Sequence, residues 1–387
     1  MKKIFFVSIV FIFIFISGYA DADTNLEPKT NNGKKWRIGY IEGGSYENYT
    51  ITLKTTIEGL MELGFIQKAQ IPLAEGDKDA LKLWKWLVAN LKSDFIQLLP
   101  DAFWTSNWKE EERKKNRESC IKQLKEKKMD LILAVGTWSG QDLANNEHSV
   151  PTVVICVSNA IQSKIIKSEE DSGYDHVHAR VDPTRYIRQV RLFHHIVGFK
   201  KLGISYENSE YGRTYGAVKD VEIVAKEKGF ELIHCNFGTA DQLGSFANQV
   251  NAAVSCINTL SQKVDAIFLT LGNYHPDEAI PRLLEATLKY KIPTFAQKSS
   301  GYVKYGALFS MSQAGYTYDG MFHATCIAKI FNGVKPRNIP QLYEAPERIA
   351  INMKTAKIIG FEVQTETLKI ADEFYNEIFV PTKKVNQ

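Results

Sequence analysis

Two α/β lobes, each with three layers around a parallel sheet, are the fold class this sequence predicts. Three observations carry that prediction. Short β-branched runs alternate with longer amphipathic stretches, the pattern of parallel strands joined by helical crossovers. The alternation occurs twice, separated by a polar, irregular segment at 158–182. The chain has 387 residues, enough for two domains of ordinary size.

Taken in order, WRIGYIE (36–42) reads as a strand and Tyr49–Leu63 as a helix stopped by Gly64. Lys78–Leu91 is a second helical stretch, DFIQLLP (94–100) a strand, and Glu110–Lys128 a highly charged helix. DLILAVG (130–136) is an apolar, buried strand, TWSGQDLANN opens a helix, and PTVVICV (151–157) is a strand. After the break, Pro183–Val197 reads as helix, KKLGISY (200–206) as strand, Thr214–Lys228 as helix and FELIHCNF (230–237) as strand. Gln242–Leu260, VDAIFLTL (264–271), Asp277–Tyr290 and IPTFAQ (292–297) continue the alternation. GALFSM (306–311) is a further strand. Tyr318–Phe331 is a helix closed by Asn332-Gly333, with Pro336 just beyond as a stop. ERIAINMKTAKIIGF (347–361) reads as strand then helix, a tail too short for a third domain.

Composition narrows the function classes. With 44% hydrophobic residues the bulk of the chain is not disordered, and a net charge of +4 without a long one-sign run argues against nucleic-acid binding. Lys2 and Lys3 precede an apolar run from Ile4 to Ile16, followed by Ser17, Gly18 and Ala20. This is the pattern of a secretory signal, with cleavage after Ala20 or Ala22, and it predicts a periplasmic protein. Residues 23–35 read as a flexible tether. The five cysteines (120, 156, 235, 256 and 326) are widely spaced. Cys235 and Cys256 are the nearest pair for a disulfide, but buried free thiols are the preferred reading.

Ligands of open α/β sheets bind beyond the carboxyl ends of the strands, so those positions are the candidate site. After strand 36–42 come Gly44, Ser45 and Tyr46; after strand 130–136 come Gly136, Thr137 and Trp138; after strand 151–157 come Ser158 and Asn159. Thr137 is placed to cap the following helix, and Trp138 to expose its ring on the first turn and stack on a ligand. In the second half the same logic selects Tyr206, Asn208, Ser209, Asn273, Tyr274 and Gln297. These are small, amide-bearing, hydroxylic or aromatic residues, the chemistry of recognition. Motifs for catalysis are lacking: GTWSG displaces its serine from G-x-S-x-G, and no H-E-x-x-H, Walker or G-x-G-x-x-G sequence occurs. Asp175-His176-Val177-His178 reads as a solvated loop rather than a metal site, so no metal or cofactor is expected.

The run GALFSMSQAGYTYDGMFHATCIAKIFNGVKPRNIP (306–340), with INMKTAKIIGF (351–361) and ADEFY (371–375), resembles the ABC-transporter substrate-binding proteins that include aromatic amino-acid binders. Gly306-Ala307-Leu308, Gly320, Ile330, Gly333, Pro336, Pro340, Ile351–Ala356 and Ala371-Asp372-Glu373 carry the likeness, and LILAVGT (131–137) and VDAIF (264–268) extend it. The resemblance implies the type I periplasmic-binding-protein fold: two Rossmann-like lobes joined by a three-crossover hinge. Lobe one would comprise 36–158 plus 312–335, and lobe two 159–311 plus 336–380. It further implies a monomer that captures a small amino-acid-like molecule, aromatic or branched, and delivers it to an ABC permease in the membrane. The rivals are a sensory protein that presents its closed form to a receptor, and a periplasmic enzyme using His275. The sequence departs from the family at Trp138, where a small residue or Pro is common, and at Gln297, where an acid is. The helix at 78–91, Trp104 and Trp108 are also unusual. These departures leave the ligand's identity open.

Overall fold

The computed structural model describes residues 26–272 and 277–381. The signal-like segment, Asn273, Tyr274 and His275 lie outside the described residues. The first lobe runs β1 (Trp36–Glu42), α1 (Glu47–Glu62), α2 (Ala80–Asn90), β2 (Ile96–Thr105), α3 (Glu110–Lys125), β3 (Leu131–Val135), α4 (Gly136–Leu143), β4 (Thr152–Ile155) and β5 (Val177–Ala179). The chain then crosses into α5 (Arg185–Val197), β6 (Lys201–Glu207), α6 (Glu210–Tyr215), α7 (Val218–Lys228), β7 (Glu231–Phe237), α8 (Phe246–Leu260) and β8 (Ala266–Leu269). Next come α9 (Ile280–Lys289), β9 (Thr294–Ala296), α10 (Ser300–Lys304), β10 (Phe309–Gln313) and α11 (Tyr316–Phe331). The tail holds β11 (Glu347–Asn352), α12 (Met353–Ile359), α13 (Thr365–Ile370) and β12 (Glu373–Tyr375).

Two sheets result, in the orders β2-β1-β3-β4-β5 and β12-β11-β10-β9-β8-β6-β7. The layering follows from strand alternation. Leu131, Leu133 and Val135 enter the core beneath α1, α2 and α11, whereas Ile132 and Ala134 enter the core on the α3 side. In the second sheet Ala266 and Phe268 face one core and Ile267 and Leu269 the other. All pairs are parallel except β10 with β11. Between those two strands the chain leaves for the first lobe through α11, so no crossover helix within one sheet imposes a parallel return.

Several expectations are corrected. The first sheet continues past residue 158: β5 pairs in parallel with β4, so the first crossing falls near 180. Its three residues sit inside a polar stretch and are too few to show periodicity. β2 extends through Pro100 to Thr105, which an edge strand tolerates because Pro100 falls in the irregularity between the Ile38–Leu98 and Tyr40–Phe103 pairs, where the ladder is interrupted. The single helix expected at 214–228 is two, broken where Ala217 takes a left-handed conformation. Residues 26–35, expected as a tether, lie against the first lobe: Leu26 packs on its core and Trp36 Nε1 donates to the Lys29 carbonyl. Cys235 and Cys256 form a disulfide, because β7 and the α8 that packs on it bring their Cα atoms to 5.6 Å; Cys120, Cys156 and Cys326 are free. Three segments cross between the lobes, after β5, after β10 and before β11. Two are tied where Val181 N–H donates to Gln341 O and Tyr343 N–H to Val181 O. Among the described residues no helix is long and apolar enough to cross a membrane.

Candidate ligand-binding site

The carboxyl ends of both sheets face one crevice, and its main cavity has a volume of about 350 Å³. Tyr46, Asn48, Thr52, Cys156 and Ser158 line it from lobe one, and Arg185, Tyr186, Gln297 and Ser299 from lobe two. The crossing segments supply Arg180, Gly315 and Tyr316. Arg180 and Arg185 flank the first crossing, and α11 begins at the second, so the hinge itself forms one wall.

That wall is charged. Arg180 Nη1 lies 3.4 Å from Asp319 Oδ2, with both side chains largely buried. Burial pushes the Asp319 carboxyl up against the pull of Arg180, and pushes the Arg180 guanidinium down against the pull of Asp319. Arg185, at the start of α5, lies over the Tyr186 ring at 5.4 Å; its Nε is buried and has no hydrogen-bond partner among the described residues. A buried, charged donor left without an acceptor is costly unless a ligand supplies one. Arg180, Arg185, Lys298 and Arg348 outnumber Asp319 and Glu373 on the lining, so the cavity favours an anionic group.

The remaining titratable walls are neutral. Burial raises the Tyr46 and Tyr316 hydroxyls far above their usual range, keeping them protonated as donors. Burial also takes the Cys156 thiol up to about 12, and its Sγ lies 3.0 Å from Thr52 Oγ1. His323, buried at the floor, is pushed well below its usual range, chiefly by desolvation and further by Arg180 and His178.

Of the residues selected from sequence, Tyr46, Ser158 and Gln297 line this cavity. Gln297 spends its amide on bracing: Oε1 accepts from Leu271 N–H at 2.6 Å and Nε2 donates to Tyr215 O at 2.8 Å. Trp138 lines a smaller adjoining compartment of about 190 Å³, with the Arg113 guanidinium 4.7 Å from its ring centroid. Thr137 does not cap α4, which begins one residue earlier without a side-chain cap; its hydroxyl instead meets the Tyr215 hydroxyl of the other lobe. Gly136 is a packing residue, since a Cβ there would sit 2.0 Å from the Tyr49 hydroxyl. Gly44 lies beneath the Trp108 ring and Ser45 is exposed, its carbonyl accepting from Trp108 Nε1 at 3.3 Å. Asn159 accepts from Ile161 and Gln162 N–H groups in a turn. Tyr206 is buried in the lobe-two core with its hydroxyl on Arg213, Ser209 caps α6, and Asn208 is exposed. The hinge-wall residues Arg180, Arg185, Tyr316 and Asp319 are missed by sequence reasoning, because crossing positions follow from sheet topology rather than from a local pattern.

The fold is similar to that of an ABC domain from Streptococcus pneumonia in complex with L-Trp, with TM-score 0.64 and 18% identity over 88% of this chain and 100% of that one. It is also similar to the ligand-free, open structure of a Clostridium difficile substrate binding protein with adhesive properties (TM-score 0.61, 19% identity, 88% of this chain and 100% of that one). These likenesses identify the type I periplasmic-binding-protein fold. A tyrosine-binding protein from Clostridioides difficile (strain R20291) is 24% identical over 238 residues, 61% of this chain. The match spans 64% of that relative's length, under two thirds. The profile of the ABC transporter substrate binding protein family matches residues 106–375, well over half of the sequence. The chain therefore belongs to the family of ABC transporter substrate binding proteins.

Proposed function

We propose that this protein is an exported, monomeric solute-binding protein that encloses an amino acid between its lobes and delivers it to an ABC permease. The observation that carries the reading is the buried, partnerless Nε of Arg185 in a cavity walled by both lobes. In this reading Arg185 takes the ligand carboxylate, Asp319 on the same wall suits the α-ammonium, and Tyr46, Tyr186 and Tyr316 cover the side chain. Aromatic amino acids are favoured because one relative is a tyrosine-binding protein and one similar structure holds L-Trp. Closure is a hinge motion at the three crossings, stabilised because a bound ligand touches both lobes at once.

The test is a thermal-shift and calorimetric screen of ligand-stripped protein against the natural amino acids. A ligand at about 100 times its dissociation constant adds roughly 2.7 kcal/mol, a shift of several degrees. L-Tyr, L-Trp, L-Phe or a branched amino acid is expected to give it, and Arg185→Ala at the same ligand concentration to cut it to about 1 kcal/mol. Silence from every amino acid would sink the ligand class.

A further inference from the structure

The compartment of about 190 Å³ adjoins the main cavity and shares Leu271 with it. Its walls come from both lobes. Trp108 and Trp138 meet edge to face, centroids 5.7 Å apart at 73°. Tyr211 and Tyr215, opposite them in the lining, are nearly parallel, 6.3 Å apart at 24°. Glu207 adds a carboxylate.

Trp108 is placed here against its backbone preference. Asn107 and Trp108 have φ of 48° and 60°, a conformation disfavoured for a bulky side chain and concentrated at functional sites. Trp108 N–H donates to Gly43 O at 2.8 Å, and only glycine leaves room below the ring: a Cβ at 43 or 44 would approach it to 2.9 or 2.7 Å. An indole still 38% exposed fills no core.

The tyrosine hydroxyls are engaged, Tyr211 with Gln141 and Arg113, Tyr215 with Thr137. What remains to an occupant is ring surface and a carboxylate, both of negative potential. Glu207 Oε1 accepts from Ser209 Oγ and Oε2 from Gln249 Nε2, and each oxygen keeps a further lone pair. The nearest cation, Arg113, is held by Asp142 at 3.0 Å, which neutralises it.

We infer that this compartment is a second ligand subsite, for an organic ammonium group such as a methylated amine. One face of Trp138 already carries the Arg113 guanidinium, and Trp108, Tyr211 and Tyr215 with the Glu207 carboxylate are the chemistry that stabilises a desolvated alkylammonium. The volume holds such a head group with room beyond the ~30 Å³ of a water. Because the rings belong to both lobes, an occupant links them and favours the closed arrangement. The inference goes beyond the proposed amino-acid site, since Leu271 is the one residue the two linings share.

The experiment titrates the intact protein with choline and with its neutral isostere 3,3-dimethyl-1-butanol at constant ionic strength, reading tryptophan fluorescence and melting temperature. Choline is expected to give a saturable change, with the isostere at least roughly tenfold weaker. Glu207→Gln should weaken choline by a similar factor, and Trp108→Ala should abolish the fluorescence response. Arg185→Ala should leave choline binding intact while amino-acid binding weakens roughly 30-fold, so failure of either site is read separately. Equal binding of the neutral isostere, no saturable response to choline, or an unchanged response in Glu207→Gln would overturn the proposal.

Discussion

Gly320 of α11 lies against the main chain of α1: a Cβ at 320 would sit 2.4 Å from the Thr55 carbonyl carbon. One turn further along, a Cβ at Gly59 would meet the Ala324 methyl at 2.7 Å. Small residues at this crossing let a helix from the far end of the chain close the first lobe. Gly320→Ala is expected to destabilise the protein by ~2 kcal/mol. The overpacking cost is about 3 kcal/mol because backbone cannot yield, and the helix-propensity gain of about 1 kcal/mol offsets only part of it. Urea unfolding midpoints test this, and an unchanged midpoint would mean that α11 can shift away freely.

Arg185→Ala is expected to weaken binding of the amino-acid ligand by about 2 kcal/mol, roughly 30-fold, the worth of a hydrogen bond to a charged group. Its Nε bonds to nothing among the described residues, so the unfolding midpoint should hold or rise. Calorimetric titration alongside urea unfolding separates the two effects. A loss of stability with unchanged affinity would assign Arg185 to the structure instead of the ligand.

Glu42, at the end of β1, is 2% exposed, and burial takes its carboxyl from the usual 4.5 up to about 7, opposed by the hydrogen bond that the Tyr40 hydroxyl donates to it at 2.8 Å. Between pH 4.5 and 7 the folded protein keeps a proton that the unfolded chain has released. Stability from this group therefore falls as pH rises through that window and is level above it. Glu42→Gln, which keeps an acceptor for the Tyr40 hydroxyl, should remove this slope and be more stable than the parent at pH 8 by about 2–3 kcal/mol. Melting curves across this range check it, and parallel profiles for the two proteins would refute it.

The Cys235–Cys256 disulfide closes a loop of 21 residues between β7 and α8. Replacing both cysteines by serine should cost about 3 kcal/mol through the freed unfolded chain. Reduction should lower the melting temperature of the parent and leave that of the double variant unchanged. Sensitivity of the double variant to reductant would contradict the pairing.

Much of the architecture is legible in the residues themselves. Continuously apolar strands such as LILAV (131–135) announce burial on both faces, and Asn332-Gly333 with Pro336 marks a helix end locally. The β5 strand, three residues in a polar stretch, carries no such pattern and exists only because β4 offers it an edge. The same limit governs the site. Strand ends are predictable, so Tyr46, Ser158 and Gln297 fall on the cavity. Yet Ser209 is consumed as a helix cap and Asn159 by its own turn, because side chains that suit ligands also suit local backbone bonds.

By itself, then, the sequence determined the doubled α/β pattern, the strand ends and the family likeness, each written in short-range periodicity and motif. The tertiary structure alone decided that Arg185 meets Asp319 and Tyr46 around one cavity, and that Trp108 shares the lining of a second with Tyr211 and Tyr215. Those meetings depend on where three chain crossings place residues over a hundred positions apart. No local preference of the backbone encodes such distances.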